Sequence, residues 1–146
     1  MSMRHLRLLL SAGLLCASFA VAQNPAPPPS SASSVCSGTL TIVRISEVKP
    51  GKLDDFMAAV AAHQAWYRTN GVSTNKIYAA RILEQDPASK EWKPSETKVM
   101  TFHVNPPRSD SKLPRNDDAW KAYVQKYSDS SDLKTEYVTC STTPIS

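Results

Sequence analysis

Two cysteines bracket the part of this chain that can build a core. Cys36 precedes the first apolar run and Cys140 follows the last, with about 110 residues from Val35 onward, enough for one small domain. Whether they pair depends on the compartment, and the N-terminus speaks to that. Residues 1–22 carry Arg4 and Arg7, then an apolar run from Leu8 to Ala22 that closes on Ala20-Val21-Ala22. A short charged region, an apolar stretch and an A-x-A site are the pattern of a secretory signal peptide. The run of about 15 apolar residues is shorter than the roughly 20 that a spanning helix needs. Cys16 follows Leu15, whereas lipoprotein signals carry a small residue there, so no lipid anchor is assigned. With residues 1–22 removed, Cys36 and Cys140 are the two cysteines left. In an oxidising compartment they most simply form one disulfide; the alternative is two separate buried thiols. A bridge over that length restricts the unfolded chain by about 4–5 kcal/mol in the chain-entropy model.

Residues 23–35 read as a Pro/Ser-rich linker, with four prolines in "NPAPPPSSASS" and nothing that could form a core. The domain is then residues 36–146. Loss of Arg4 and Arg7 reduces 17 basic residues to 15 against 13 acidic ones, a balance of +2. Lys and Arg are scattered among Asp and Glu, so no block of like charge marks a nucleic-acid or membrane surface. The expected location is secreted or periplasmic, in a bacterial envelope, with no membrane span after the signal is removed and no nucleic-acid partner.

The periodicities alternate in a definite order. Thr39 to Val48 is rich in β-branched residues and reads as a strand. Pro50-Gly51 stops it. Leu53, Phe56, Met57, Val60, Gln64 and Tyr67 then recur at helical spacing, which predicts a helix from Lys52 to about Thr69. Asp54 and Asp55 fall in its first turn and Asn70-Gly71 at its end, as the helix dipole and a left-handed stop require. Asn75–Gln85 and Glu96–Val104 are the next strands, joined by a long hairpin loop. After a proline-rich loop, a helix starts near Asp117 with Trp120, Tyr123, Val124 and Tyr127 on one stripe, and Leu133–Cys140 is the last strand. The order β-α-β-β-α-β is that of the ferredoxin-like, split-βαβ arrangement, an α+β fold with a four-stranded antiparallel sheet and two helices on one face. In it the start of the first strand lies beside the end of the fourth, which is where Cys36 and Cys140 stand.

Both faces of the strands are apolar. Leu40 and Ile42 point one way and Val43 and Ile45 the other; Ile77, Ala79 and Leu83 oppose Tyr78, Ala80 and Ile82. A sheet with one wet face alternates apolar with polar. Two helices cover one face only, so the economical cover for the second is the same sheet of another copy, a homodimer.

A strand, then Val48-Lys49-Pro50-Gly51-Lys52-Leu53-Asp54-Asp55-Phe56, a long helix, two strands, a helix and a strand, with a sheet apolar on both sides, resembles the dimeric α/β-barrel superfamily. Within it the chain is similar to the antibiotic-biosynthesis-monooxygenase type, whose members often pass from strand to helix through a Pro-Gly turn. The resemblance spans about Thr39 to Cys140. It implies a dimeric barrel with a cleft between sheet and helices for small, often aromatic or polyketide-like molecules. Some members oxidise substrates without a cofactor, some bind haem, and some only bind. The expectation is an exported dimeric α/β-barrel protein with a small-molecule cleft, a cofactor-independent monooxygenase-like enzyme. The alternative is a non-catalytic envelope protein that binds a ligand or partner through the same fold. No cofactor is assigned.

The residues that could carry chemistry are few. His103 shares a strand face with Val99 and Thr101 and is a candidate base or ligand contact; the alternative is an imidazole satisfied by backbone or a threonine. His63 is the second candidate, about 60° off the middle of its helix stripe at 100° per residue, and reads as a boundary residue. Arg44 and Arg81 lie among apolar neighbours, where each needs a partner. They hold a ligand carboxylate or enolate, pair with one of Glu47, Glu84 and Glu136, or reach solvent at a strand end. Gln64 and Tyr67 complete the candidate pocket. Trp66 reads as facing away from the core with Ala59 and Ala62. Two histidines without a carboxylate or cysteine at ligand spacing assign no metal. No serine stands in a G-x-S-x-G elbow, and four glycines in 146 residues form no phosphate-cradling loop.

Overall fold

The computed structural model describes residues 30–108 and 111–142. The signal-peptide reading and the start of the linker fall outside these residues. A helical turn, α1 (Ser30–Val35), lies within the stretch read as unstructured linker; it holds no proline, so its backbone N–H groups are all present. The domain proper runs β1 (Thr39–Val48), α2 (Leu53–Thr69), β2 (Lys76–Gln85), β3 (Trp92–Val104), α3 (Asp118–Ser130) and β4 (Ser131–Ser141). The four strands form one antiparallel sheet in the order β2-β3-β1-β4. This is the ferredoxin-like α+β fold, and no helix among the described residues is long and apolar enough to cross a membrane.

Cys36 and Cys140 form a disulfide, with their Cα atoms 5.6 Å apart. Leu40 pairs with Cys140 in the β1–β4 register, so the bridge closes the end of that ladder. Gly38 is required here. A Cβ at this position would collide with the Ser141 carbonyl.

The corner between β1 and α2 is built by Gly51, whose φ of 71° is open to glycine at little cost. The Lys52 N–H bonds to Lys49 O at 3.0 Å and Asp54 and Asp55 occupy the first turn of α2. Asn70 and Gly71 end the helix, the Asn70 side chain donating to Trp66 O at 2.8 Å. Helix α3 starts at Asp117, whose carboxylate accepts from Trp120 N at 2.7 Å. It passes into β4 with no residue between, and Lys49 Nζ bonds Ser128 O at 2.8 Å, placing a cation at the helix C-terminus.

The buried side of α2 differs from the expected stripe. Phe56, Ala59, Val60, His63, Trp66 and Tyr67 are buried, whereas Met57 is exposed. His63 is therefore a core residue rather than a boundary one, and Trp66 and Ala59 face inward rather than away. The reason is α3, which packs along the flank of α2 as well as on the sheet. The Trp66 indole N–H donates to both oxygens of Asp117 at 3.0 and 3.1 Å, tying the helices together at the start of α3.

The β2–β3 connection is shorter than expected, because β3 begins at Trp92 and only Asp86–Glu91 remain outside the strands. Asp86 Oδ1 organises this loop by accepting from Ala88 N and Ser89 N at 2.9 and 2.8 Å. Pro94 is tolerated because β1 pairs with β3 only over Lys98–Val104, leaving one edge of β3 unpaired at the proline. Between Arg81 and Leu83 the register shifts, and past that irregularity Leu83 is exposed.

The register sorts the sheet into two faces. Ile42, Ser46, Val48, Ile77, Val99, Thr101 and His103 look toward the helices, where Phe56, Val60, Tyr67, Trp120, Tyr123 and Val124 complete the core. Val43, Ile45, Met100, Phe102, Tyr78 and Tyr137 share the opposite face, and neither α2 nor α3 lies on it. Tyr78 and Phe102 stack there with centroids 4.9 Å apart.

Candidate functional site

Facing imidazoles form the inner wall of a cleft between the sheet and the helices. His63 comes from the middle of α2 and His103 from the end of β3, their centroids 5.4 Å apart and their planes at 75°. Arg44, Ser46 and Thr101 line the sheet side, and Tyr127, Ser128 and Ser131 the α3–β4 side. The enclosed volume is about 50 Å³. At roughly 10–15 Å³ per water-sized site, that admits about four such groups.

His63 is 3% exposed and stacks flat on Tyr123, 4.5 Å between centroids with a 16° tilt. Its Nε2 is buried and has no hydrogen-bond partner among the described residues. Burial holds its pKa well below the ordinary 6.5, and the neighbouring His103 and Arg44 push the same way. His103 meets the Asn75 side-chain nitrogen at 3.3 Å through Nε2. An amide donor there makes Nε2 the acceptor and places the ring proton on Nδ1. Burial, then Arg44 and Arg115, take His103 down to about 3. Both imidazoles are neutral at ordinary pH.

The phenols around them move the other way. Burial raises Tyr123 and Tyr127 far above their ordinary values, and Tyr67 is also raised by burial, against an opposing hydrogen bond and charge from Arg115. These groups stay protonated.

The sequence candidates divide by position. His63, His103 and Arg44 come together at the cleft. Arg44 is 12% exposed and its Nε donates to Glu136 at 2.6 Å, one of the carboxylates named for it. Gln64 lies behind the wall, its Oε1 accepting from Ile77 N at 2.6 Å. Tyr67 packs on His103 at 5.1 Å within the core. Arg81 lies elsewhere, at the β2–β3 register shift, where it donates to Pro94 O, Ser95 O and the Glu96 carboxylate. It holds an irregular strand in shape. Glu84 and Glu47 pair instead with Lys98 and Lys134.

Asn75, Tyr127 and Ser131 belong to the site and carried no signal in the sequence. Asn75 read as a strand start and Tyr127 as core; the β2–β3 pairing sets Asn75 against His103, and the packing of α3 over the sheet brings Tyr127 and Ser131 to the cleft. Among the described residues no group of three or more His, Cys, Asp or Glu could hold a metal ion.

The chain matches no protein-family model, and a search of curated proteins found no match. The site must be read from its own chemistry. It can bind: rings and hydroxyls line it, the buried His63 Nε2 lacks a partner among the described residues, and Arg44, the one charged residue of the described lining, is paired.

Proposed function

We propose that this chain is an exported homodimer that binds a small molecule in the cleft between its sheet and its helices, as a ligand-binding envelope protein rather than an enzyme. The observation that carries the reading is the buried, unpartnered His63 Nε2 in a cleft shared with His103. A buried polar atom without a partner costs about 1–3 kcal/mol, a cost that a bound guest removes.

The same imidazoles argue against conversion of the guest. A general base works best with a pKa near the working pH, yet His103 is held at about 3 and His63 well below its ordinary value. The resemblance to monooxygenase-type barrels therefore supports the fold and the cleft more than the chemistry. A cofactor-independent oxygenase needs its substrate to raise the pKa of one of these rings back toward the working pH.

Export is supported by the N-terminal pattern of residues 1–22 together with the Cys36–Cys140 bridge, since such bridges persist in oxidising compartments. The homodimer is supported by the open sheet face, where Tyr78 is 40% and Tyr137 53% exposed beside Phe102, Val43 and Met100. An apolar sheet face of this kind calls for cover, and a two-fold partner supplies the same chemistry in return.

Native mass spectrometry of the protein purified from the envelope of its own host tests the reading. A dimer that retains a small extra mass supports it; a ligand-free species at every gentle condition overturns the binding role. Oxidation of the retained molecule by the protein in air-saturated buffer would replace it with the enzymatic reading.

A further inference from the structure

Resting on the reading of the cleft as a ligand site, we propose that its guest is a small uncharged molecule whose hydroxyl group bonds to His63 Nε2. Orphaned polar atoms gather around the two imidazoles. Besides His63 Nε2 they include Gln64 Nε2, Asn75 Oδ1 and the Tyr123 hydroxyl, all buried and without a partner among the described residues. Each belongs to the same neighbourhood: Tyr123 stacks on His63, Asn75 bonds His103, and Gln64 bonds Ile77, which pairs with His103 across the sheet. Folded proteins leave only a few such atoms per 100 residues. Four of them around one pair of rings mark a place where bonding is completed from outside, and His63 is the one whose residue lines the cleft.

The charge of the cleft sets the guest's charge. Among the described residues Arg44 is the only lining residue that is charged at neutral pH, and Glu136 balances it at 2.6 Å. An anion would compete with Glu136 for Arg44, and a cation would face Arg44 with its carboxylate already taken; both are costlier than leaving the pair undisturbed. An uncharged guest leaves the ion pair intact.

A hydroxyl is the group that fits Nε2 whichever ring nitrogen holds the proton. It donates to a bare Nε2 or accepts from a protonated one. The hydroxyls of Ser46, Thr101 and Ser131 along the wall give the same mixed polarity. The volume of about 50 Å³ limits the enclosed portion to a few heavy atoms.

The test is a titration of the purified, oxidised, isotope-labelled protein, reading the imidazole nitrogen resonances by NMR. The chain has three histidines, and His5 leaves with residues 1–22, so His63 and His103 are simple to assign. Three probes of similar size are added separately at neutral pH: hydroxyacetone, acetone and acetate. The expected result is a saturable shift of the His63 Nε2 resonance with hydroxyacetone, and binding at least tenfold weaker for the other two. A site built around a hydroxyl rejects the analogue that lacks it. Equal binding of acetone overturns the hydroxyl, and equal or tighter binding of acetate overturns the uncharged guest; either result leaves the cleft standing as a ligand site. If none of the three moves His63 or His103, the cleft reading itself fails.

Discussion

Asp117 does two jobs with one carboxylate. It caps α3 through Trp120 N and accepts the indole N–H of Trp66 from α2. Asp117→Ala is expected to lose the cap, about 0.5–2 kcal/mol, and to strand a buried indole donor, about 1–3 kcal/mol. Asp117→Asn keeps an acceptor for both and is expected to lose much less; equal losses in urea unfolding would show that charge rather than hydrogen bonding is what matters. The histidines make a second residue-scale prediction. Their folded pKa values are depressed, so below the unfolded value of about 6.5 the unfolded chain takes up protons that the folded one refuses. Stability is full above about pH 7 and falls as pH drops toward the folded value, about 3 for His103. The slope reaches at most about 1.4 kcal/mol per pH unit for each histidine. Exposed carboxylates with lowered pKa values, such as Asp86 and Glu84, act only at more acid pH, so urea unfolding between pH 7 and 5 isolates the imidazoles. A flat or rising profile there would contradict their burial as neutral rings.

At the scale of elements, the β1–β4 pair at one side of the sheet is held at both ends. The Cys36–Cys140 bridge closes the start of β1 onto the end of β4, and the opposite end is tied where Lys49 N bonds Ser130 O at 2.9 Å. The bridge spans a sequence separation of 104 residues. Replacing both cysteines with alanine is expected to cost as much as about 4–5 kcal/mol of chain entropy, read as a lower urea midpoint that reductant no longer changes. Reductant that leaves the midpoint of the parent protein unmoved would mean that the bridge contributes nothing. Helix α2 shows why a stripe is harder to place than a helix. Its ends were legible from Pro50-Gly51 and Asn70-Gly71. Its buried side was not, because Met57 drew the apparent centre away from the flank of Ala59, His63 and Trp66, where Ala59 is small and His63 polar and both weigh little in an apolar pattern.

For the whole molecule, the two faces of the sheet have separate fates. One packs on the helices and forms the cleft; the other presents Val43, Ile45, Phe102, Tyr78 and Tyr137. Phe102→Glu places a charge in the middle of that face, and the proposed dimer is expected to sediment as a monomer at micromolar concentration. Since Tyr78 and Phe102 lie across the sheet from the helix core, the substituted protein should keep its fold by circular dichroism. A parent protein that is already monomeric would remove the dimer, while a dimer that survives the charge would place the interface elsewhere.

Element order and the apolar character of both sheet faces were determined by the sequence alone, and the disulfide was its simplest reading. Each rests on local or one-dimensional facts: β-branched runs, Pro-Gly and Asn-Gly stops, alternation along a strand, and two cysteines at positions that the topology brings together. The contents of the cleft were decided by the tertiary structure. Arg44 and Arg81 look alike in the sequence, each an arginine within a strand, but the β2–β3 irregularity consumes Arg81 while Arg44 meets Glu136 beside the imidazoles. His63 became a wall of the site only when α3 covered the flank of α2 and brought Tyr123 flat against its ring. Burial of a polar side chain depends on what packs over it, and what packs over it comes from residues far away in the chain.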